Sequence, residues 1–288
     1  MIGRVNTGGG GAGGTLTVTT PGAGITVTVS KDGKTKTKVS GADGVAAFKG
    51  LATGTWTLTI TDGTQTASKP VVVTADYNTT ISFFSATINV TYPAGSTCTA
   101  TDGVTTLTAP DTSGTWDCVV ANAGTWTVSL DNDLEETVEV TESGATYTVS
   151  KWYVLKGGDV RENITGGWSS NGNLTATVES DGIRISNDGD YGVCGTNSKV
   201  PIKGFHTLYL SYSNNTFNNM QLIIDTDKPP TYDGSYVAIT EPSVTGTESG
   251  TIELDISGAH SYDKLYIGFS GGWERGISTL VTGIWVEA

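Results

Sequence analysis

The sequence predicts an all-β protein made of serial sandwiches, and three observations carry that prediction. The 288 residues include 39 Gly and abundant Thr, with only 16% charged residues. Apolar residues alternate with Thr or Ser over short runs, and almost no stretch has helical spacing. One strand-like phrase occurs twice, TGTWTLTI at 53–60 and AGTWTVSL at 123–130. In the first copy Trp56, Leu58 and Ile60 share one face and Thr55, Thr57 and Thr59 the other, as in a strand with one buried face.

Residues 1–14 end in the tract NTGGGGAGG, which offers no side chains for a core. The preceding MIGRV is a short apolar tag, read either as a fraying terminus or as a docking segment. It contains no hydrophobic region able to act as an export signal, and no run approaches the eighteen apolar residues of a membrane span.

Residues 15–85 and 86–151 are expected to be two copies of one module. Pro21 matches Pro93, SKDGKT matches TATDGVTT, ADGVAAF matches TSGTWDC, and the Gly-Thr-Trp strands coincide at an offset of 70 to 72 residues. Asp32-Gly33, Asp62-Gly63 and Asp102-Gly103 stand between alternating runs, where Gly tolerates the positive φ of a tight hairpin. About seven short strands per copy fit a small two-sheet sandwich. The order of strand, Pro-Gly turn, hairpin, Gly-Thr-Trp strand and closing hairpin resembles the immunoglobulin-like or prealbumin-like modules related to the carboxypeptidase regulatory domain and PEGA repeats.

Trp56 and Trp126 fall at the apolar phase of their strands and are expected to plug the two sandwiches. Trp116 fits core or interdomain packing, with a ligand platform as the alternative. Cys98 and Cys118 occupy the positions of Val27 and Phe48 in the first copy, so two small core residues and a disulfide both account for them.

Residues 152–288 lose the Thr alternation and hold at least eight candidate strands separated by polar loops, which fits a larger jelly-roll sandwich. The opening GGDVRENITGGWSSNG and the closing VTGIWVEA, a last strand suited to lie beside the first, resemble galactose-binding-like domains and the carbohydrate-binding modules built on them. Trp152 and Trp285, on the first and last strands, read as core.

Charge excludes one class of partner. The net charge of −13 opposes nucleic-acid binding, which needs clustered Lys and Arg against phosphates. Its distribution is uneven: residues 15–85 carry six Lys against four Asp, whereas residues 86–151 carry one Lys against nine acids. Residues 152–288 carry eight basic and sixteen acidic residues. A solvated Lys face or an acidic neighbour accounts for the basic first module.

No catalytic constellation is legible. His206 and His260 belong to no paired metal motif, and no nucleophile turn, phosphate loop or Cys-x-x-Cys pair occurs. Asp188 and Asp190, or Asp225 and Asp227, stand in turn-like phrases where Asp is a turn former; a structural calcium ion is the alternative, and no other cofactor is expected. The candidate ligand-binding residues are aromatics set among Gly, Asn, Ser and Asp, namely Trp168, Tyr191, Tyr232, Tyr236 and Trp273, with Arg275 as a polar partner. Sugar rings stack on aromatic faces while polar groups take their hydroxyls; capping of sandwich ends or an oligomer interface is the other reading.

The duplicated module, with YPAGSTCTATDGVTTLTAPDTSGTW followed by NAGTWTV, also resembles immunoglobulin-like modules in structural proteins of tailed bacteriophages. That resemblance implies a non-catalytic virion protein, made in the bacterial host cytoplasm and displayed on the particle. Its two repeats would form a stalk and residues 152–288 a head for a host-surface polysaccharide. The implied partners are other virion proteins and further copies in a homo-oligomer, with no membrane insertion. A purely structural role, a carbohydrate-active enzyme fragment and a secreted adhesin are the competing expectations.

Overall fold

The structure, a computed structural model, describes residues 13–131, 134–157, 159–160, 168–196, 199–217, 220–225, 243–244, 248–257, 264–271 and 275–288. The chain is all-β, as the composition predicts, and divides into two compact units. One is Met1–Ala86 with Val120–Ala123; the other is Thr87–Val119 with Gly124–Ala288.

The first seven strands are β1 (Gly14–Thr19), β2 (Thr26–Lys31), β3 (Lys34–Val39), β4 (Val45–Leu51), β5 (Gly54–Thr61), β6 (Thr66–Val73) and β7 (Tyr77–Thr80). They form two sheets, β4-β1-β7 and β3-β2-β5-β6. Alternation turns Leu16 and Val18 of one sheet and Val27, Val29, Leu58 and Ile60 of the other into one core, with Trp56 and Phe48 among them. The β2–β3 turn falls at Asp32-Gly33, both with positive φ (49° and 73°), the geometry in which a two-residue turn matches strand twist.

The next seven are β8 (Ala86–Thr91), β9 (Cys98–Thr101), β10 (Thr106–Thr108), β11 (Thr115–Val120), β12 (Gly124–Leu130), β13 (Glu135–Val140) and β14 (Thr146–Val149). Their sheets are β11-β8-β14 and β10-β9-β12-β13, the same orders strand for strand. Even the parallel β1–β7 pair recurs as β8–β14. Trp126 is 1% exposed at the position of Trp56.

The last eleven are β15 (Trp152–Lys156), β16 (Asp159–Val160), β17 (Trp168–Glu179), β18 (Gly182–Thr196), β19 (Val200–Pro201), β20 (Thr207–Ser213), β21 (Met220–Asp225), β22 (Ser243–Val244), β23 (Gly250–Asp255), β24 (Lys264–Gly271) and β25 (Ile277–Glu287). Along one edge β25 pairs with β20, which also pairs with β23. Along its other edge β25 pairs first with the start of β18 and then with β15. The end of β18 instead joins β24, which continues to β21 and β22, while β19 pairs with the start of β24. β17 accompanies β18 through both halves and shifts register between Gly172 and Leu174. These two long strands therefore carry the sheet from one layer of the sandwich into the other.

β15 follows β14 after two residues, and side chains bind the second repeat to the last eleven strands within the second unit. The Trp152 indole, fully buried, donates to the Thr91 carbonyl at 2.9 Å. Glu136 on β13, only 5% exposed, accepts the Tyr153 N–H at 2.8 Å and lies 3.9 Å from Lys156 Nζ.

Candidate functional site

One cross-strand row aligns three aromatic residues of the last module. The ladders place Tyr153 of β15 opposite Trp285 of β25, Trp285 opposite Tyr209 of β20, and Tyr209 opposite Glu253 of β23. Ile284 and Val286 are fully buried in the core, so strand alternation turns Trp285 to the opposite face. Tyr209 and Trp285 stack with centroids 5.3 Å apart and planes 8° from parallel; Tyr153 and Trp285 lie 5.7 Å apart, tilted by 43°. Aromatic cross-strand neighbours support both the ladder and each other.

Trp285 is buried, as expected. It is 8% exposed, flanked by two tyrosines and by Lys151, whose Nζ lies 4.6 Å from the indole centroid. Trp152 is core as expected. Gly283 makes room for the arrangement: a Cβ there would lie 2.9 Å from Ser211 Oγ and 3.6 Å from the edge of the Trp285 ring.

Charged and hydroxyl groups surround the rings. Trp285 Nε1–H donates to Glu287 Oε1 at 2.8 Å, and Lys151 Nζ is 4.0 Å from the same oxygen. Lys156 Nζ sits 4.8 Å from the Tyr153 ring centroid. Desolvation, then the charges of Glu136 and Glu287, push the Tyr153 phenol above its usual value; desolvation, Glu287 and Glu253 do the same at Tyr209. Both phenols therefore stay protonated at neutral pH, able to donate and accept. Thr207 and Ser211 share the Tyr209 face, and Thr251 and Asp255 stand exposed opposite them. The ensemble offers flat apolar faces, carboxylate acceptors and ammonium donors, but no activated nucleophile.

The residues expected from sequence lie elsewhere or outside the description. Trp168 and Tyr191 are not in loops: Trp168 opens β17 opposite Thr196, and Tyr191 lies within β18. Tyr191 falls in the stretch between Asn187 and Gly192, whose partners Leu174 and Gly172 are only two residues apart. An irregularity of that size reads as a loop in sequence. Arg275 is exposed in the turn before β25. Tyr232, Tyr236 and Trp273 lie outside the described residues. Asp188 is exposed within β18, and it is the neighbouring Asn187, not the Asp expected as turn former, whose side-chain oxygen accepts the Gly189 N–H at 3.3 Å. No group of three His, Cys, Asp or Glu able to hold a metal ion occurs among the described residues. The sequence signal for the row was available in YLSY, IWVE and KWYV, but only pairing across three strands brings these phrases together.

No family model matches the sequence, and no curated protein matches it. Among solved structures, a family 29 carbohydrate-binding module from Piromyces equi is similar with a TM-score of 0.32 at 12% identity, over 48% of this chain and 91% of that one. The minor pilin GBS52 of Streptococcus agalactiae gives a TM-score of 0.29 at 12% identity, over 47% and 93%. A carbohydrate-binding module of the β-sandwich superfamily gives 0.33 at 15% identity, over 82% and 92%. Carbohydrate-binding modules of β-sandwich fold are thus among the solved structures to which this chain is similar.

Proposed function

We propose that this chain is a non-catalytic binding protein whose last module holds a polysaccharide against the row Tyr153–Trp285–Tyr209. The observation that carries this reading is the register of three aromatic rings across adjacent strands, flanked by Glu287, Glu253, Lys151 and Lys156. Extended glycans offer apolar C–H faces for the rings and hydroxyls for carboxylates and ammoniums. The serial modules that precede the row suit a stalk. The likeness of the duplicated module to phage structural proteins supports a further proposal, that the protein is a virion appendage and the glycan belongs to the host surface. Trp168, Tyr191, Tyr232, Tyr236, Trp273 and Arg275 form a second proposed contact set. Antibody labelling of purified particles tests the virion setting, and unlabelled particles from a producing host sink it.

Glycan-array binding by the intact chain, followed by calorimetric titration of the best hit, tests the row. Tyr209→Ala is expected to weaken that ligand at least about tenfold while near-ultraviolet dichroism stays native. One observation favours a structural reading: Lys151 and Lys156 already cover two of the rings. Lys151→Ala separates the two readings. A glycan platform changes its affinity for the array hit when this ammonium is removed, whereas a structural cluster loses stability and binds no glycan with or without the lysine.

A further inference from the structure

The first module contains a cleft of about 370 Å³ between the β2–β3 hairpin and the β4–β5 turn. Lys31, Asp32, Lys34 and Lys36 line it, and Trp56 closes its floor, 4% exposed and held by an indole hydrogen bond of 2.8 Å to the Ala52 carbonyl. Two ammoniums are held in place: Lys31 Nζ donates to the Thr53 carbonyl at 2.6 Å and Lys36 Nζ to the Lys49 carbonyl at 3.0 Å. Each bond uses one of three N–H donors, leaving the others for a ligand. Lys34 has no partner among the described residues. Gly54 leaves open the space that the Lys31 ammonium occupies, since a Cβ there would come within 2.2 Å of Nζ.

The duplication supplies an internal control. In the second repeat the equivalent hairpin has a loop two residues longer, with Thr101 paired to Thr106 where the first pairs Lys31 with Lys34; by that register Thr101, Thr106 and Thr108 stand where the first has Lys31, Lys34 and Lys36. The fold forms this hairpin without lysines, so folding does not require them. Lysines on an edge strand do discourage edge-to-edge pairing, which suits Lys34 and Lys36 on β3. Lys31 escapes that account because β2 lies inside the sheet, between β3 and β5.

We propose that this cleft binds the anionic group of an acidic saccharide, a carboxylate or phosphate seated among the ammoniums of Lys31, Lys34 and Lys36. Its volume lies within the range of roughly 300–1,000 Å³ typical of small-ligand sites. A concave site of that size takes a sugar-sized unit better than the flat face of a protein partner. The module's excess of Lys over Asp, in a chain otherwise strongly acidic, concentrates anions at this end. The site is independent of the aromatic row.

The test is calorimetric titration of the intact chain at low salt with trigalacturonate, glucose 6-phosphate and a poly-glutamate peptide. Binding of either acidic saccharide is expected, and which one binds identifies the anion. The exposed pair Lys34→Gln/Lys36→Gln is expected to weaken it at least about tenfold, while Lys69→Gln, outside the cleft, leaves it unchanged. Raising salt from about 20 mM to about 200 mM is expected to weaken it as well. The proposal is overturned if neither saccharide binds, if the double variant binds like the parent, or if poly-glutamate binds as tightly as the saccharides.

Discussion

At the scale of single residues, the two repeats show how one core is filled in two ways. Thr20 and Tyr92 are equivalent, each donating its N–H at 2.9 Å to the carbonyl of an equivalent glycine, Gly44 or Gly114. In the first repeat the nearby bulk comes from Phe48, 1% exposed; in the second that position is Cys118, fully buried, and Tyr92 is buried instead. Cys98 replaces Val27 and lies close enough to Tyr92 to affect its phenol. Burial pushes the Cys98 and Cys118 thiols up to about 12 and about 11, so both are protonated at neutral pH, and both are free thiols in the structure. Cys118→Phe is therefore expected to overpack the second repeat at a cost of about 1–3 kcal/mol, because Tyr92 already fills the space. Urea unfolding measures it, and an unchanged midpoint would contradict the exchange of bulk. At the aromatic row, a double-mutant cycle on Tyr209→Ala and Trp285→Ala is expected to give a coupling of about 1 kcal/mol from ring stacking. A coupling near zero would mean the rings are neighbours without mutual support. Trp285 was legible as a buried residue, but only the partner strands reveal that its own face carries Tyr153, Tyr209 and Lys151.

At the scale of elements, what was legible is what local chemistry determines. Asp32-Gly33 and Asp102-Gly103 declared their hairpins because positive φ must be met within the turn itself; in the second, Asp102 Oδ1 also accepts N–H groups from Val104 at 2.9 Å and Thr105 at 2.6 Å. Gly114 is a stricter case. Its φ is +94°, and a Cβ would lie 2.9 Å from the Tyr92 carbonyl oxygen that neighbours the repeat's core. Gly114→Ala is expected to destabilise by about 1–3 kcal/mol, read by thermal unfolding, whereas Gly103→Ala, with φ +85° but open space around it, is expected to cost less. Equal losses would show that conformation alone, without the close approach, sets the penalty. The strands β17 and β18 were not legible at their full lengths of 12 and 15 residues. Their register shift breaks the two-residue period where the strands change layers, and a broken period is indistinguishable from a loop in sequence.

At the scale of the molecule, the duplication was legible because it is written in the chain itself, while the joint between the second repeat and the last module was not. That joint is made by residues far apart in sequence: Trp152 with Thr91, Glu136 with Tyr153 and Lys156, and Gly204 with Pro93, where a Cβ would meet the proline at 2.6 Å. No local pattern announces such contacts. They have an energetic consequence, since cutting the chain before residue 152 would expose a fully buried tryptophan, leave its indole N–H without the Thr91 carbonyl, and remove the Glu136 acceptor from the Tyr153 N–H. Losing the packing of a large buried aromatic costs about 3–5 kcal/mol, and each orphaned polar group about 1–3 kcal/mol more if it stays buried. A fragment of residues 87–288 is therefore expected to unfold in one calorimetric transition, well above the melting temperature of a fragment of residues 152–288. Within the intact chain, Trp152→Ala is expected to lower only the transition of that unit and to leave that of residues 15–85 in place. If the two fragments melted together, the joint would be a mere contact, and the second repeat would be free to move relative to the aromatic row. If they differ as expected, Glu136 holds the backbone of Tyr153 at the start of that row. The second repeat then belongs to the last module's own architecture, and the proposed stalk is reduced to what precedes it.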